Sequence, residues 1–250
     1  MTFPVRAITL DLDNTLWPIA PVIARAEDRL DAWLREHAPA TAARWPVEAM
    51  RALRDRVAVD NPHLVHDFTE QRRLCLRHAL REAGDDESHA EGAFDVFFAA
   101  RNEVECYDDS IAALERLAAR LPVAALTNGN ADLHKIGLAR HFTFYLGARE
   151  HGEAKPAAGI FHAACARLQV PPGEVLHVGD DIELDVVGAA RAGLRTCWIN
   201  RRNDAGEARR WPDQDAGSAA QSLRPDLEFD SLGALADWLD DNASARTVAA

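Results

Sequence analysis

Two aspartates separated by one residue, Asp11 and Asp13, follow the apolar run VRAITL at residues 5–10. Side chains alternate along a strand, so both carboxylates can point the same way where that strand ends. Like charges so placed raise one another's pKa unless a cation compensates. Mg²⁺, which prefers hard oxygen ligands and keeps several waters, removes that penalty. The chemistry that suits such a pair is phosphoryl transfer. One carboxylate attacks phosphorus and holds the group covalently, while a second acid protonates the leaving alkoxide and later deprotonates water. Taken alone, the pair reads equally well as a solvated turn in which Asp13 or Asn14 acts as a cap.

Three further clusters repeat the arrangement. Thr127-Asn128-Gly129-Asn130 ends the apolar run at 122–126 and offers a hydroxyl, an amide and backbone N–H groups suited to a phosphate. By itself it reads as ordinary helix capping. Lys155, before Pro156, is one of only two lysines in a chain rich in arginine, the other being Lys135. A compact ammonium suits a phosphoryl group flanked by carboxylates, although a surface lysine is usually just solvated. Gly179-Asp180-Asp181 ends the run at 174–178, and Asp185 lies one helical turn further on. Acids at a helix N-terminus often serve only its dipole. Four such clusters, each closing an expected strand, point instead to one shared site. In it Asp11 and Asp13 fit the roles of nucleophile and second acid. Thr127, Asn128 and Lys155 hold the transferring oxygens, and Asp180 completes a metal site. Asp185 orients Lys155 or a metal-bound water, with Asp181 as a supporting acid.

The elements that must position these residues are strands at 5–10, 122–128, 142–148, 174–180 and 195–200. Helical patterns lie between them at 110–120, 133–140, 157–168 and 182–192. That rhythm predicts βαβ units, a parallel sheet and right-handed crossovers. Residues 18–105 read differently, with amphipathic helical patterns at 22–36, 47–59, 69–83 and 90–104 and no strand-like alternation. The expected division is therefore an α/β core from 1–17 and 107–250, with a helical insert at 18–106. Residues 201–230 read as an irregular surface excursion, and Ser231 caps a closing helix at 232–239.

Composition sets the outer limits. The 250 residues, 48% of them hydrophobic, suffice for a buried core, and a formal charge of −12 disfavours nucleic acid or anionic membrane as partners. No stretch approaches the ~18 apolar residues of a membrane span, and the opening residues lack the pattern of a signal peptide. Four scattered cysteines suggest neither a disulfide framework nor a zinc site. A reduced, cytoplasmic protein is expected, a monomer or small homo-oligomer acting on a small phosphorylated metabolite.

DLDNTL, LTNGN, Lys155 and GDDIELD, in that order, resemble the four signature motifs of the haloacid dehalogenase-like hydrolases. The resemblance implies a Rossmann-like core with a C1-type helical cap, Mg²⁺ and a phosphoaspartate intermediate on Asp11. It also implies Asp13 as acid/base, Thr127 and Lys155 as phosphate binders, and a metal held by the carboxylates of Asp11 and Asp180 and the backbone carbonyl of Asp13. PVIARAEDRLDAWL, HDFT, LTNGNADL, LHVGDDIELDVVGAARAG and CWIN are similar to phosphatases acting on FMN and on 5-amino-6-(5-phospho-D-ribitylamino)uracil, which implies a substrate from the riboflavin pathway. In the insert, His66, Asp67 and Arg72 are candidate contacts to the leaving group. The favoured reading is that Asp67 caps a helix while the histidines are solvated. Trp17 is a candidate to stack on a planar ring, although a residue so placed more often serves packing.

Alternatives remain at this stage. A generalist sugar-phosphate or nucleotide phosphatase and a phosphomutase would share every motif. A dehalogenase needs neither Mg²⁺ nor a second acid, so Asp13 counts against it. A phosphonate hydrolase would want a lysine in the cap, and residues 18–106 contain none. A non-catalytic ligand-binding module would be expected to have lost the nucleophile or the lysine.

Overall fold

The computed structural model describes residues 3–202, 206–212 and 223–248. Along the chain, β1 (Ala7–Leu10) is followed by α1 (Ile19–His37), α2 (Pro39–Arg44), α3 (Val47–Asp60), α4 (Phe68–Ala83) and α5 (His89–Arg101). Then come α6 (Ser110–Ala118), β2 (Val123–Thr127), α7 (Leu133–Ile136), β3 (Phe144–Gly147), α8 (Ala148–His151), α9 (Ala158–Leu168) and β4 (Val175–Gly179). A π-helical turn, Ile182–Val187, runs into α10 (Gly188–Arg191), and β5 (Arg195–Ile199), β6 (Leu227–Phe229) and α11 (Leu232–Val248) complete the order.

The six strands form one parallel sheet in the order β3-β2-β1-β4-β5-β6. The strand carrying Asp11 is therefore central, flanked by the strands that end at Thr127 and Gly179. Every residue of β1, β2 and β4 is buried, as expected where helices cover both faces of a parallel sheet. Helix α9 contributes Ile160, Phe161 and Ala164 to the core that also holds Leu126, Leu146 and Val175. In such a sheet ligands bind outside the carboxyl ends of the strands, where the strand order reverses. The reversal here lies at β1.

The chain divides into two compact units. One comprises residues 1–17, 106–128 and 138–250, the other residues 18–105 and 129–137. The segment 129–137, assigned to the core from sequence, clusters with the helical unit. That unit has its own core of Ala26, Leu30 and Leu34 on α1 with Leu76, Leu80, Phe94 and Phe97. The i, i+4 spacing of the α1 residues is what an amphipathic helix requires.

Three sequence expectations need correction. The helix expected over 133–140 stops at Ile136, because Gly137 takes a left-handed conformation (φ 85°) and caps it. The helix expected over 182–192 opens with a π turn, in which the Val186 N–H bonds to the Asp181 carbonyl five residues back. The excursion expected over 201–230 ends in β6, which pairs with β5 through Leu227, Glu228 and Phe229. A three-residue edge strand lacks the length that makes a strand visible as a pattern. Residues 203–205 and 213–222 of that excursion lie outside the described residues.

Candidate active site

Asp11 leaves β1 still tied to the sheet, its N–H donating to the Val178 carbonyl at 2.9 Å. Its buried carboxylate accepts from Lys155 Nζ at 2.6 Å on Oδ1 and from the Thr15 hydroxyl at 3.3 Å on Oδ2. The chain then doubles back. Asn14 adopts a left-handed conformation (φ 60°), which asparagine tolerates better than most residues, and its N–H donates to the Trp17 carbonyl at 2.7 Å. This turn brings the Trp17 indole N–H to Asp13 Oδ1 at 2.8 Å. Of the two readings of Trp17, the structure favours packing over stacking on a substrate ring. Its side chain is fully buried, and it serves to hold Asp13.

Lys155 lies at the centre. Its Nζ donates to Asp11 Oδ1 and to Asp185 Oδ1, each at 2.6 Å. The Asp185 carboxylate also accepts from His177 Nε2 at 3.0 Å and, on Oδ2, from the Asp181 N–H at 3.0 Å. Burial works against every charge in this group. For Lys155 it is outweighed by the two carboxylates, which raise the ammonium above its ordinary pKa. For Asp185, burial loses to Lys155 and the His177 hydrogen bond, and the carboxyl is held well below the usual range. For Asp11, burial prevails over the attraction of Lys155, and nearby Asp185 adds to it, so the carboxyl is raised.

Gly179 is what admits Asp185. A Cβ at this position would lie 2.3 Å from Asp185 Cγ, closer than any atoms of the two side chains could sit. Asp180, the next residue, points its carboxylate toward the same group. Its carbonyl accepts from Trp198 Nε1 at 2.9 Å and from Arg209, and its Oδ2 lies 3.3 Å from Arg209 Nη2. Burial and then Asp185 push its carboxyl up to about 7. Asp11, Asp180 and Asp185 each offer a carboxylate oxygen within 4.8 Å of the others, a group that could hold a metal ion. Hard oxygen donors crowded until one resists ionisation fit a divalent cation, which would relieve that crowding.

Thr127 ends β2 buried. Asn128, expected to contact phosphate, is differently employed. Its Oδ1 accepts from the Lys155 N–H at 2.8 Å, and its Nδ2 donates to the Lys155 carbonyl at 2.9 Å. The side chain is thus committed to the lysine backbone. Asp181 caps the following turn, accepting from the N–H groups of Glu183 and Leu184 at 2.9 and 2.8 Å. In the helical unit Asp67 caps α4 by accepting from the Glu70 N–H at 2.9 Å. His66 is half-buried in the turn before it, and Arg72 is buried over the Phe97 ring at 3.8 Å.

Sequence reasoning missed Thr9, Thr15, His177 and Arg209 as members of the site. The signal for two of them was present: Thr9 and His177 are the polar residues inside otherwise apolar strand runs. Arg209 carried none, since it comes from an irregular segment.

The chain is 36% identical over 203 residues to the 5-amino-6-(5-phospho-D-ribitylamino)uracil phosphatase YigB of Escherichia coli, covering 80% of this chain and 85% of that protein. It is 32% identical to the phosphoserine phosphatase of Thermus thermophilus, over 79% of this chain and 89% of that one. A crystal structure of 2-haloacid dehalogenase from Pseudomonas syringae pv. Tomato superposes with a TM-score of 0.81 at 34% identity, covering 95% of this chain and 99% of the other. A profile of the haloacid dehalogenase-like hydrolases matches residues 5–193, a span that contains Asp11, Thr127, Lys155 and Asp180. With its parallel sheet and its carboxylates gathered at the strand ends, the chain belongs to the haloacid dehalogenase-like hydrolases.

Proposed function

We propose that the protein is a Mg²⁺-dependent phosphatase that hydrolyses small phosphate monoesters through a phosphoaspartate on Asp11. The observation that carries this reading is the Lys155 ammonium shared between Asp11 and Asp185 at 2.6 Å each. It sets a fixed cation beside a buried carboxylate, where an incoming phosphate needs its charge offset.

The Asp11 carboxylate attacks phosphorus, and the bond to the leaving oxygen breaks as Asp13 gives that oxygen its proton. Asp13 then takes a proton from water, which attacks the phosphoaspartate and releases inorganic phosphate with Asp11 restored. The Thr127 hydroxyl and the Lys155 ammonium hold the non-bridging oxygens as charge redistributes. Burial disfavours the ionised nucleophile, and Lys155 counters it. Asp185 keeps Lys155 charged and aimed. The carboxylates of Asp11 and Asp180 and the backbone carbonyl of Asp13 would hold the cation, which offsets the repulsion between carboxylate and phosphate. Asp185 belongs to the same group of carboxylates, but its oxygens already accept from Lys155, His177 and Asp181.

The substrate class we infer is a flavin or ribityl phosphate, supported by the 36% identity to the E. coli enzyme. The unit of residues 18–105 and 129–137 is assigned the part of a cap that keeps water out of the first step. A second reading, halide displacement from a 2-halo acid, is favoured by the 34% identity to the Pseudomonas dehalogenase. It has no use for Asp13.

Both are tested by incubating purified protein with FMN, ribityl and sugar phosphates, nucleotides and 2-chloropropionate, with Mg²⁺ or EDTA. Phosphate release that needs Mg²⁺ and disappears in Asp11→Asn is expected. Chloride release indifferent to EDTA would replace this reading with the second. Undiminished phosphate release by Asp11→Asn would remove the nucleophile.

A further inference from the structure

Behind the lysine lies a second buried hydrogen-bonded pair that the chemistry above does not use. Thr9 on β1 and His177 on β4 are register partners across the parallel ladder, so their side chains emerge side by side on one face of the sheet. Both are buried, at 0% and 1% exposure. Thr9 Oγ1 lies 2.9 Å from His177 Nδ1, and His177 Nε2 lies 3.0 Å from Asp185 Oδ1. The Phe161 ring meets the imidazole edge-on at 5.0 Å and closes its remaining side. A continuous chain of contacts thus runs from Thr9 through His177, Asp185 and Lys155 to Asp11.

We propose that His177 is a positioning residue: kept in the Nε2–H tautomer by the acceptor-only Asp185 carboxylate and held in place by Thr9, it fixes that carboxylate and thereby the aim of the Lys155 ammonium at Asp11. The inference rests on the reaction proposed above. A neutral imidazole carries one N–H, and that proton decides which neighbour it can serve. With the proton on Nε2, the ring donates to the carboxylate while Nδ1 accepts from the Thr9 hydroxyl. The other tautomer would set a nitrogen lone pair against a carboxylate oxygen. Gly179, two residues on and on the same face, leaves the room through which Asp185 reaches this nitrogen.

The primary test is spectroscopic. Full-length protein labelled with ¹⁵N-histidine should give one buried imidazole with an Nε2–H and an unprotonated Nδ1, absent from His177→Gln. Thr9→Val should shift the unprotonated Nδ1 resonance, because its hydrogen-bond donor is gone, and Thr9→Ser should restore it. In kinetics, His177→Phe should lower kcat about tenfold to a hundredfold with KM little changed, the size seen when such supporting partners are lost. His177→Gln, which keeps a donor near the Nε2 position, should recover most of the rate. An Nδ1–H or doubly protonated ring in the wild-type protein would overturn the proposal even if His177→Phe failed to fold. So would equal kcat in Thr9→Val and wild type. Asp11→Asn distinguishes the two levels: if it is dead while the His177 and Thr9 variants are unimpaired, the reaction stands and this inference falls. If it is active, the reaction itself falls.

Discussion

The side chain of Asn128 grips the backbone of Lys155 at both ends, accepting its N–H at 2.8 Å and donating to its carbonyl at 2.9 Å. The two residues come from the end of β2 and from the loop before α9, and are joined by neither helix nor ladder. The clamp sets where the lysine leaves the backbone, and the two carboxylates set where its ammonium ends.

Asn128→Ala removes both hydrogen bonds and leaves a peptide group in a partly closed site without its partners. A loss of about 1–3 kcal/mol is expected from such an omission, with a fall in kcat as Lys155 loses its fixed origin. Urea melts together with steady-state kinetics would register both. An unchanged midpoint would mean that water replaces the clamp at no cost.

Lys155→Met strands two buried carboxylates without their cation. Breaking a buried ion pair on one side costs about 3–5 kcal/mol. The double variant Lys155→Met/Asp185→Leu should be more stable than Lys155→Met alone, because the second change withdraws one of the stranded charges. Additive losses in a double-mutant cycle would show that the two side chains act independently.

Asp180 makes the metal-free protein sensitive to pH. Its carboxyl stands at about 7 when folded, against 3.8 when unperturbed. Between those values the folded protein holds a proton that the unfolded chain has lost, so this residue subtracts stability as pH rises through that window. Asp185 works in the opposite sense. Its lowered carboxyl contributes stability above the ordinary carboxylate range that is lost as pH falls through its folded value. In EDTA, Asp180→Asn should therefore melt above wild type at pH 8, and the gap should close toward pH 4. A gap independent of pH would assign the effect to packing.

Trp17→Phe keeps a ring in a fully buried position but removes the N–H that donates to Asp13. If Asp13 is the acid/base, kcat should fall by more than KM changes, since the hydrogen bond holds a proton-transfer group rather than the substrate. A pure rise in KM would return Trp17 to the role of a substrate contact.

Gly179→Ala places a methyl carbon 2.3 Å from Asp185 Cγ. Asp185 must then leave Lys155 and His177, so activity should collapse beyond what one methyl group normally costs. Pairing it with Asp185→Ala should recover stability but not turnover, as thermal melts and phosphate release would report.

Much of this site was legible because its residues mark the ends of strands. Asp11, Asp180 and Asp185 follow from apolar runs that stop at acids or glycine, and Lys155 stands out as one of two lysines, placed before α9; the sheet brings the strand ends together whatever the details of the loops. For Asn128 the sequence leaves two roles open, because a polar amide at a strand end serves a phosphate or a neighbouring backbone equally well, and only the fold commits its side chain to Lys155. For Trp17 a packing role is legible, but its neighbours in sequence do not reveal that the left-handed turn at Asn14 turns its N–H on Asp13. Arg209 reaches Asp180 from 29 residues away along an irregular segment, where no periodicity guides a reading.

Sequence by itself determined the parallel α/β core, the helical insert and the carboxylates and lysine that meet at the sheet's edge, because hydrophobic period and strand termination are local properties. Tertiary structure alone decided which donor serves which acceptor. Lys155 sits between Asp11 and Asp185, Asn128 holds the lysine backbone, and His177 faces Thr9 across the ladder. Those pairings depend on strand register and on the few ångströms that Gly179 leaves open, distances that exist only once the sheet has formed.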